Sequence, residues 1–317
     1  MPDHTHAVSP VVTVVVPTCN RLAMLPAALQ SIAQQTFADF ECWIVNDHQA
    51  TRSAVDEVVA TLADARFRVL HNAQPSGSAV TRNNGIRQAR GSLLAFLDDD
   101  DTWMPQYLEE HVRAHQADVG LVYSGVLIRW EDQVLPEKRR PALPPPEPEE
   151  TPGRMLRGAF EVFTTSVIST KKSVLDQVGY FDESLPSYED WELCYRISQQ
   201  FPLGYVAQPL TVFFQHLKSR MTQDLAQRRD GLRALRQNFT NDPRFEYLYR
   251  KHVAQMYFTS IRNNTLAGKT EWNRPLFTDY LQSKSRPWSS RYQAKVSVKM
   301  LILLLFGKRG IKIINRF

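Results

Sequence analysis

The chain has 317 residues, enough for one large α/β domain with an extension or for two smaller domains. Its 43% hydrophobic and 22% charged residues are ordinary for a globular protein, and its 13 glycines form no glycine-rich phosphate loop, which excludes a Walker-type nucleotide site. The net charge of +5 arises at the C-terminus, where nine Lys and Arg and no acid follow Asp279. The preceding residues carry 29 basic and 33 acidic side chains, so we expect no nucleic-acid partner.

The N-terminal half alternates apolar runs with helical patterns. The β-branched run 11–16 predicts a strand buried on both faces, and it is too short for a signal peptide. Asn20 is predicted to cap a helix over 22–35. Further strands are predicted at 41–46, 67–71 and 92–97, and further helices at 54–62 and 79–89. This spacing predicts right-handed βαβ units and a Rossmann-like α/β fold with a mostly parallel central sheet flanked by helices.

The second half is less regular. The sequence predicts a helix over 105–116, ordered segments at 119–123, 125–130, 162–169 and 171–178, a helix over 190–200 and a strand over 210–214. Residues 136–152 contain seven prolines and alternating charges, which predicts a mobile loop without regular structure. From about Asp224 onward the pattern is mostly helical. Cys19, Cys42 and Cys194 are odd in number and far apart, so we interpret them as reduced, buried thiols of a cytoplasmic protein.

Four aspartates, Asp98 to Asp101, follow the apolar strand predicted at 92–97. Alternate side chains of an extended segment point to the same side, which places Asp98 and Asp100 together. Carboxylate oxygens suit Mg²⁺ or Mn²⁺, so the run predicts a divalent-cation site. The alternative is a solvated acidic turn in which Asp101 or Thr102 caps the next helix.

Five segments, in this order, resemble family 2 glycosyltransferases of the GT-A fold. They are VTVVVPTCNR, WIVNDHQ, SGSAVTRNNGI, LLAFLDDDDTWMP and VGYFDESLPSYEDWELCYRI, and the resemblance extends over residues 11–216. It implies a GT-A fold, a nucleoside diphosphate sugar donor, a divalent cation, and inverting transfer to a hydroxyl. We accordingly expect a nucleotide-sugar-binding catalytic domain over 1–223 and a helical extension over 224–317.

The resemblance assigns residues to the donor. Pro17 and Thr18 match a turn that contacts the nucleotide. Asn46 and Asp47 stand where the family has two aspartates, so the role of Asn46 is left open, while Asp47 would accept a hydrogen bond from the base. Such an acceptor ranks uridine and thymidine first, although guanine also offers an N–H. Arg82 matches an arginine that faces the diphosphate or the base; the alternative is an exposed helix arginine.

The metal assignment follows the family's Asp-x-Asp motif. Asp98 and Asp100 match it, with Asp100 as the more direct ligand, while Asp98 and Asp99 also belong to the nucleotide site. His216 resembles a histidine that completes the metal or diphosphate site, although a lone histidine at a strand end is often structural.

Glu189 and Asp190 match an acidic pair before a helix, and they are the catalytic candidates. Asp190 takes the position of the general base, because an acceptor hydroxyl must lose its proton as it attacks. The alternative is that Asp190 only caps the helix. Trp103 and Trp191 are candidates for stacking on sugars or for the core.

The expected function is metal-dependent transfer of a hexose from a nucleoside diphosphate sugar, UDP-sugar first, to a glycan or lipid-linked acceptor in cell-surface polysaccharide or lipopolysaccharide synthesis. One alternative is a nucleotidyltransferase of sugar phosphates, which would need a basic glycine-rich loop where this chain has PTCNRLAML. The other is a non-catalytic carbohydrate- or membrane-binding scaffold, which would be expected to have lost the metal acids or the base.

The C-terminal segment 291–306 reads RYQAKVSVKMLILLLF and ends in seven consecutive apolar residues. This run is far shorter than the roughly 20 residues that span a bilayer. One interpretation is a helix packed on the main domain. The other is an in-plane anchor on an anionic membrane surface, which would make the protein peripheral on the cytoplasmic face.

Overall fold

A computed structural model of the protein describes residues 9–130, 136–215, 225–239, 242–282 and 291–314. Its first part alternates strands and helices as predicted: β1 (Val12–Thr18), α1 (Leu25–Ala33), β2 (Phe40–Asn46), α2 (Arg52–Ala60), β3 (Phe67–His71), α3 (Ser78–Gln88) and β4 (Leu93–Phe96). β1 lies between β2 and β4 and pairs with both in parallel. Its valines are therefore buried on both faces, which explains the uninterrupted apolar run.

The second part completes a mixed sheet. Its elements are β5 (Asp101–Trp103), α4 (Tyr107–Ala114), β6 (Leu121–Trp130), β7 (Lys138–Arg140), α5 (Thr151–Leu156), β8 (Ile168–Lys171), α6 (Lys172–Val178), α7 (Glu189–Ser198) and β9 (Leu203–Gln215). The strand order is β3-β2-β1-β4-β8-β6-β9-β5, with β7 paired to β6. The first four strands in this order are parallel, and β8 is antiparallel to both of its neighbours.

The register aligns the carboxyl ends of the first strands. Thr18 pairs with Asn46, and Asn46 pairs with His71, so β1, β2 and β3 end at one level. β4 stops at Phe96, beside Val15, and the aspartate run continues past it toward the same edge. The polar residues that follow the strands therefore converge, as expected for an α/β sheet.

The prediction of irregular structure over 136–152 is wrong at two places. Lys138–Arg140 forms β7, antiparallel to Val126–Ile128 of β6, and α5 begins at Thr151. β7 lies in the proline-free stretch between Pro136 and Pro141, where backbone N–H donors are available to pair with β6.

Two further local predictions are also wrong. Asn20 does not cap α1, because it adopts a left-handed backbone conformation (φ 56°) and the helix begins at Leu25 after Met24. The short side chain of asparagine makes this conformation tolerable, and the chain turns sharply after β1. Cys42 and Cys194 are buried free thiols as predicted, whereas Cys19 is exposed in this turn.

The C-terminal extension consists of helices. They are α8 (Leu225–Asn238), α9 (Pro243–Leu266), α10 (Asn273–Gln282), α11 (Arg291–Phe306) and α12 (Lys308–Ile314). α9, α10, α11 and α12 share an apolar core that includes Tyr257, Tyr280 and Met300. Leu235 and Phe245 instead join the core of the sheet, so burial of apolar side chains holds the extension against the sheet.

None of the described helices is long and apolar enough to cross a membrane. One face of α11 packs into the extension through Val296, Met300 and Leu303. The opposite face exposes apolar side chains, among them Leu301, Leu305 and Phe306. Packing on the extension therefore explains the apolar residues on one face of α11 but not those on the other face.

Candidate functional site

A cavity of about 400 Å³ opens at the carboxyl ends of β1, β2 and β4. Its lining contains nearly all of the described residues that the sequence assigned to the site: Pro17, Thr18, Asp47, Arg82, Asp98, Asp99, Asp100, Glu189, Asp190 and Trp191. Asn46 is not in this lining; it is buried beneath the edge, where its side chain holds His48 and Thr51. His216 lies outside the described residues.

The aspartate run forms a compact group of acids. One carboxylate oxygen each from Asp98, Asp100 and Asp101 lies within 4.8 Å of the others. Asp101 belongs to β5, and α4 begins after Gln106, so the alternative of a solvated turn that caps a helix is wrong. Ser166 Oγ donates to Asp101 (2.8 Å), and the Phe214 N–H also donates to it (3.2 Å), which ties this carboxylate to the fold. Three hard oxygen donors at this spacing fit Mg²⁺ or Mn²⁺, and Asp98 and Asp100 would face the ligand.

Two arginines balance the charge of this group. Arg21 contacts Asp99 at 3.0 Å and Asp100 at 3.1 Å, and Arg82 contacts Asp98 at 2.7 Å. Arg21 was not predicted as a site residue from the sequence, although it directly follows the turn after β1. The left-handed turn at Asn20 precedes Arg21, whose guanidinium reaches the aspartates.

Arg82 bridges the aspartate run and the acidic pair at the start of α7. It is 5% exposed, so the alternative of an exposed helix arginine is wrong. Its guanidinium donates to Asp98 (2.7 Å) and to Glu189 Oε1 (2.8 Å). The adjacent carboxylates raise the pKa of Arg82 even though burial opposes its charge. It is therefore a fixed cation between the two acidic groups.

Asp47 holds the loop that precedes α3. Its carboxylate accepts hydrogen bonds from Asn72 Nδ2 (2.7 Å) and from the N–H groups of Ser76 (2.9 Å) and Gly77 (2.9 Å). Gly77 has a φ of 86°, a left-handed conformation that favours glycine and that a side chain would strain. A nucleotide base at Asp47 would have to share or replace one of these donors.

Glu189 and Asp190 begin α7 and line the cavity. Ser78 Oγ (2.6 Å) and Arg82 (2.8 Å) both donate to Glu189 Oε1. Asp190 Oδ1 accepts the Trp191 N–H (2.7 Å), and its Oδ2 lies 3.4 Å from Thr165 Oγ1. The residue at the N-cap position is Tyr188 rather than Asp190, and Tyr188 has a left-handed backbone (φ 68°). Such a conformation in a bulky residue is strained and concentrates at functional sites.

The environment of Asp190 favours its protonated form. Burial, with the nearby charge of Glu189, raises the pKa of Asp190 to about 6, although Arg82 opposes the shift. A carboxyl whose pKa approaches neutrality is better matched to proton abstraction than an ordinary aspartate.

The two tryptophans occupy different environments. Trp103 stacks on Tyr107, with ring centroids 3.9 Å apart, and its Nε1 donates to the Ser166 carbonyl, so it is a core residue. Trp191 lines the cavity and also stacks on Tyr195.

The extension supplies cavity residues that the sequence did not reveal. Arg228 of α8 and His252 of α9 line the cavity together with Tyr188 and Glu161. No motif marks these positions, since they reach the site only because the extension folds back onto the sheet.

Comparison with known proteins identifies the family. The model of glycosyl transferase family 2 matches residues 13–179, more than half of the chain. The chain belongs to glycosyl transferase family 2. The protein is therefore a glycosyltransferase, as the five segments and the acidic cavity indicated.

Several relatives of this glycosyltransferase have been described. An uncharacterized glycosyltransferase of Haemophilus influenzae is 27% identical over 72% of this chain and 76% of its own length. The amylovoran biosynthesis glycosyltransferase AmsB of Erwinia amylovora is 27% identical over 66% of this chain and 70% of its own. WfgD of Escherichia coli, a UDP-Glc:α-D-GlcNAc-diphosphoundecaprenol β-1,3-glucosyltransferase, is 30% identical over 32% of this chain and 39% of its own.

Solved structures confirm the GT-A fold. The mannosyltransferase PcManGT from Pyrobaculum calidifontis, in complex with GDP-Man and Mn²⁺, has a TM-score of 0.54 and 18% identity, over 98% of this chain and 85% of that one. Residues 1–349 of S. aureus TarS in complex with UDP-GlcNAc have a TM-score of 0.53 and 14% identity, over 94% of this chain and 82% of that one.

Proposed function

We propose that this glycosyltransferase moves a hexose from a nucleoside diphosphate sugar to a hydroxyl of a glycan or lipid-linked acceptor, with inversion and with a divalent cation. The observation that carries the proposal is one cavity lined by both an oxygen-rich aspartate group and Asp190. Residues 1–223 would form the catalytic domain and 224–317 the extension that completes it. Relatives named for polysaccharide synthesis support a role in cell-surface glycan assembly.

Asp190 would act as the general base. An acceptor hydroxyl must lose its proton as its oxygen attacks the anomeric carbon, and Asp190 has no arginine hydrogen-bonded to it among the described contacts. Glu189 is held by Arg82 and Ser78, which suits it to positioning rather than to proton transfer. Attack from the side away from the diphosphate would invert the anomeric centre in one displacement.

Asp98 and Asp100 would hold the cation, Mn²⁺ or Mg²⁺, and the bound ion would neutralise charge that develops on the leaving diphosphate. Arg21 and Arg82 contact these carboxylates. The two guanidinium groups would therefore lie close to the diphosphate. Pro17, Thr18 and Asp99 would contact the nucleotide from the same edge. His216 is proposed as a further ligand from the family resemblance alone.

For the base, Asp47 supports uridine first. Structural neighbours bind GDP-Man or UDP-GlcNAc, so the fold accepts either base. A panel of UDP-, TDP- and GDP-sugars, assayed with Mn²⁺ or Mg²⁺ for released nucleoside diphosphate, tests the proposal. Nucleoside diphosphate release from a UDP-sugar supports it. Pyrophosphate release would instead indicate a nucleotidyltransferase, and no turnover of any donor would contradict catalysis.

The rate of transfer should depend on pH through Asp190. Because its pKa is about 6, the base is ionised above that pH and protonated below it. We expect kcat/KM for the donor to fall about tenfold for each pH unit below 6. The residual activity of Asp190→Asn should lack this dependence. A flat profile for the parent between neutral pH and the acid limit of folding would contradict the assignment.

We further propose that α11 binds an anionic membrane surface on the cytoplasmic face. Its exposed side chains include Val298, Leu301, Leu305 and Phe306. Burial, then the positive charges of Lys295 and Lys138, lower the pKa of Lys299, which shows that β7 and α11 bring cations together. An apolar stripe beside clustered lysines suits an anionic lipid interface, where a lipid-linked acceptor would reside.

Vesicle sedimentation tests this surface. The full chain should co-sediment with vesicles of equal parts phosphatidylglycerol and phosphatidylcholine, less at high salt, and not with phosphatidylcholine alone. Leu305→Gln with Phe306→Gln should weaken binding at least about tenfold, because each side chain loses burial in lipid. Trp272→Gln, at an exposed apolar residue of another segment, is the control and should bind as the parent does. Equal binding of all three proteins would refute the membrane role of α11.

A further inference from the structure

The helical extension forms part of the cavity wall next to the catalytic acids. α8 packs against the segment before α7, where Gln227 Nε2 donates to the Pro186 carbonyl (3.0 Å). Gly231 approaches Ser187 so closely that any side chain at this position would collide with it. This contact sets α8 and α9 against the cavity and brings Arg228 and His252 to its wall.

His252 is a buried polar group of this wall with an unsatisfied ring nitrogen. Its ring packs edge-on against Tyr188, with centroids 5.2 Å apart. Within the described part of the chain, its Nε2 has no hydrogen-bond partner, and Glu161 Oε1 lies 3.8 Å away, too far for a hydrogen bond. Burial lowers the pKa of His252 to about 4, so the ring is neutral and offers one donor and one acceptor.

The groups around His252 are aromatic rings, an ion pair and a further cation, Arg228. Lys251 is paired with Glu161 (2.7 Å), and Arg228 lies 3.4 Å from the Tyr188 hydroxyl. Phe163 lines the same cavity, is partly exposed and packs edge-to-face on Phe213. Apolar faces with a few convergent polar atoms are typical of small-ligand sites, and here they match a sugar ring, with C–H faces and hydroxyls.

We infer that Tyr188, His252 and Glu161, with Phe163, form a subsite for a neutral pyranose ring of the acceptor. The inference rests on the proposed function. The contacts run from Asp98 through Arg82 to Glu189, and from there along the chain to Tyr188 and His252. His252 and Asp190 line the same cavity, so a sugar bound at His252 would share that cavity with the proposed base. The uncharged His252 ring and the aromatic faces of Tyr188 and Phe163 suit a neutral ring, and because Arg228 is a cation in the same cavity, competition by phosphate is part of the test.

Saturation-transfer NMR with methyl glycosides of glucose, galactose and N-acetylglucosamine tests the subsite. The full chain is loaded with UDP and with Mg²⁺, which is diamagnetic and leaves the glycoside signals sharp, so that the proposed donor end is filled. At least one glycoside should bind, and His252→Ala should weaken it about tenfold, as expected for the loss of one or two hydrogen bonds. His252→Asn, which keeps a donor and an acceptor, should bind more tightly than His252→Ala. Tyr247→Ala, on an exposed position of the same helix, should match the parent.

Three results would overturn the subsite. They are no glycoside binding by the parent, equal binding by His252→Ala, and displacement of the glycoside by inorganic phosphate, which would indicate an anionic ligand. A UDP titration of each protein, followed by its intrinsic fluorescence, separates these outcomes from failure of the proposed function. If the parent binds UDP but no glycoside, the subsite alone is refuted. If it binds neither UDP nor a glycoside, the proposed donor site is refuted as well.

Discussion

Replacement of Asp190 by Asn should lower the rate of sugar transfer by about 10²–10⁴-fold, the usual cost of losing a general base. The substitution keeps the size of the side chain, and the amide oxygen can still accept the Trp191 N–H that Asp190 accepts at 2.7 Å. It removes only the basic oxygen needed to take the acceptor proton. The measurement is kcat with a turned-over donor, together with UDP affinity, which should change little.

Glu189→Gln is the matched comparison for Asp190→Asn. Glu189 is paired with Arg82, so the amide should disturb donor binding and raise KM, with a smaller fall in kcat. Because burial opposes the charged form of Asp190, removing its charge at neutral pH should leave the Tm equal to or above that of the parent. A parental rate in Asp190→Asn, with a collapsed rate in Glu189→Gln, would move the base to Glu189.

The second large effect is expected from Asp100→Asn. Asp100 is 6% exposed, and its carboxylate belongs to the oxygen group that would hold the cation. Loss of its charge should weaken Mn²⁺ binding in the presence of UDP by at least about 100-fold and reduce turnover in parallel. The paramagnetic signal of free Mn²⁺ during titration measures the binding independently of activity.

Asp118→Asn, at an exposed aspartate after α4, is the control for Asp100→Asn and should bind Mn²⁺ as the parent does. EDTA should abolish transfer by the parent, and added Mn²⁺ or Mg²⁺ should restore it. Full transfer in EDTA, or unchanged Mn²⁺ affinity in Asp100→Asn, would contradict metal dependence at this site.

Arg21 shows how far local reasoning reached at the metal site. The aspartate run was predicted to need a compensating cation, and its acids do gather within 4.8 Å. The contacts of Asp99 and Asp100 with Arg21 were not predicted, because they join residues about 78 positions apart. Compensation by arginine and compensation by a metal have the same sequence signature. The tertiary structure shows that arginine contributes to the compensation.

β7 and the tail illustrate the same limit at the surface. Proline content predicted the irregular backbone around 136–152 but not the pairing of Lys138–Arg140 with β6, since a strand this short depends on a partner rather than on its own propensity. The apolar tail was compatible with packing or with a lipid surface; one face of α11 packs on the extension, and the other exposes apolar side chains.

The sequence by itself determined the strand and helix alternation, the parallel β1–β4 layer and the acids at its edge. These features depend on periodicity and on residues close in the chain, as in the β1 run and the aspartates after β4. Only the tertiary structure decided that Arg82 joins Asp98 to Glu189 and that His252 of α9 lies beside Tyr188. Those contacts join residues up to 107 positions apart in the chain. They form because burial of apolar side chains packs α7, α8 and α9 against the sheet, and no local sequence pattern encodes this packing.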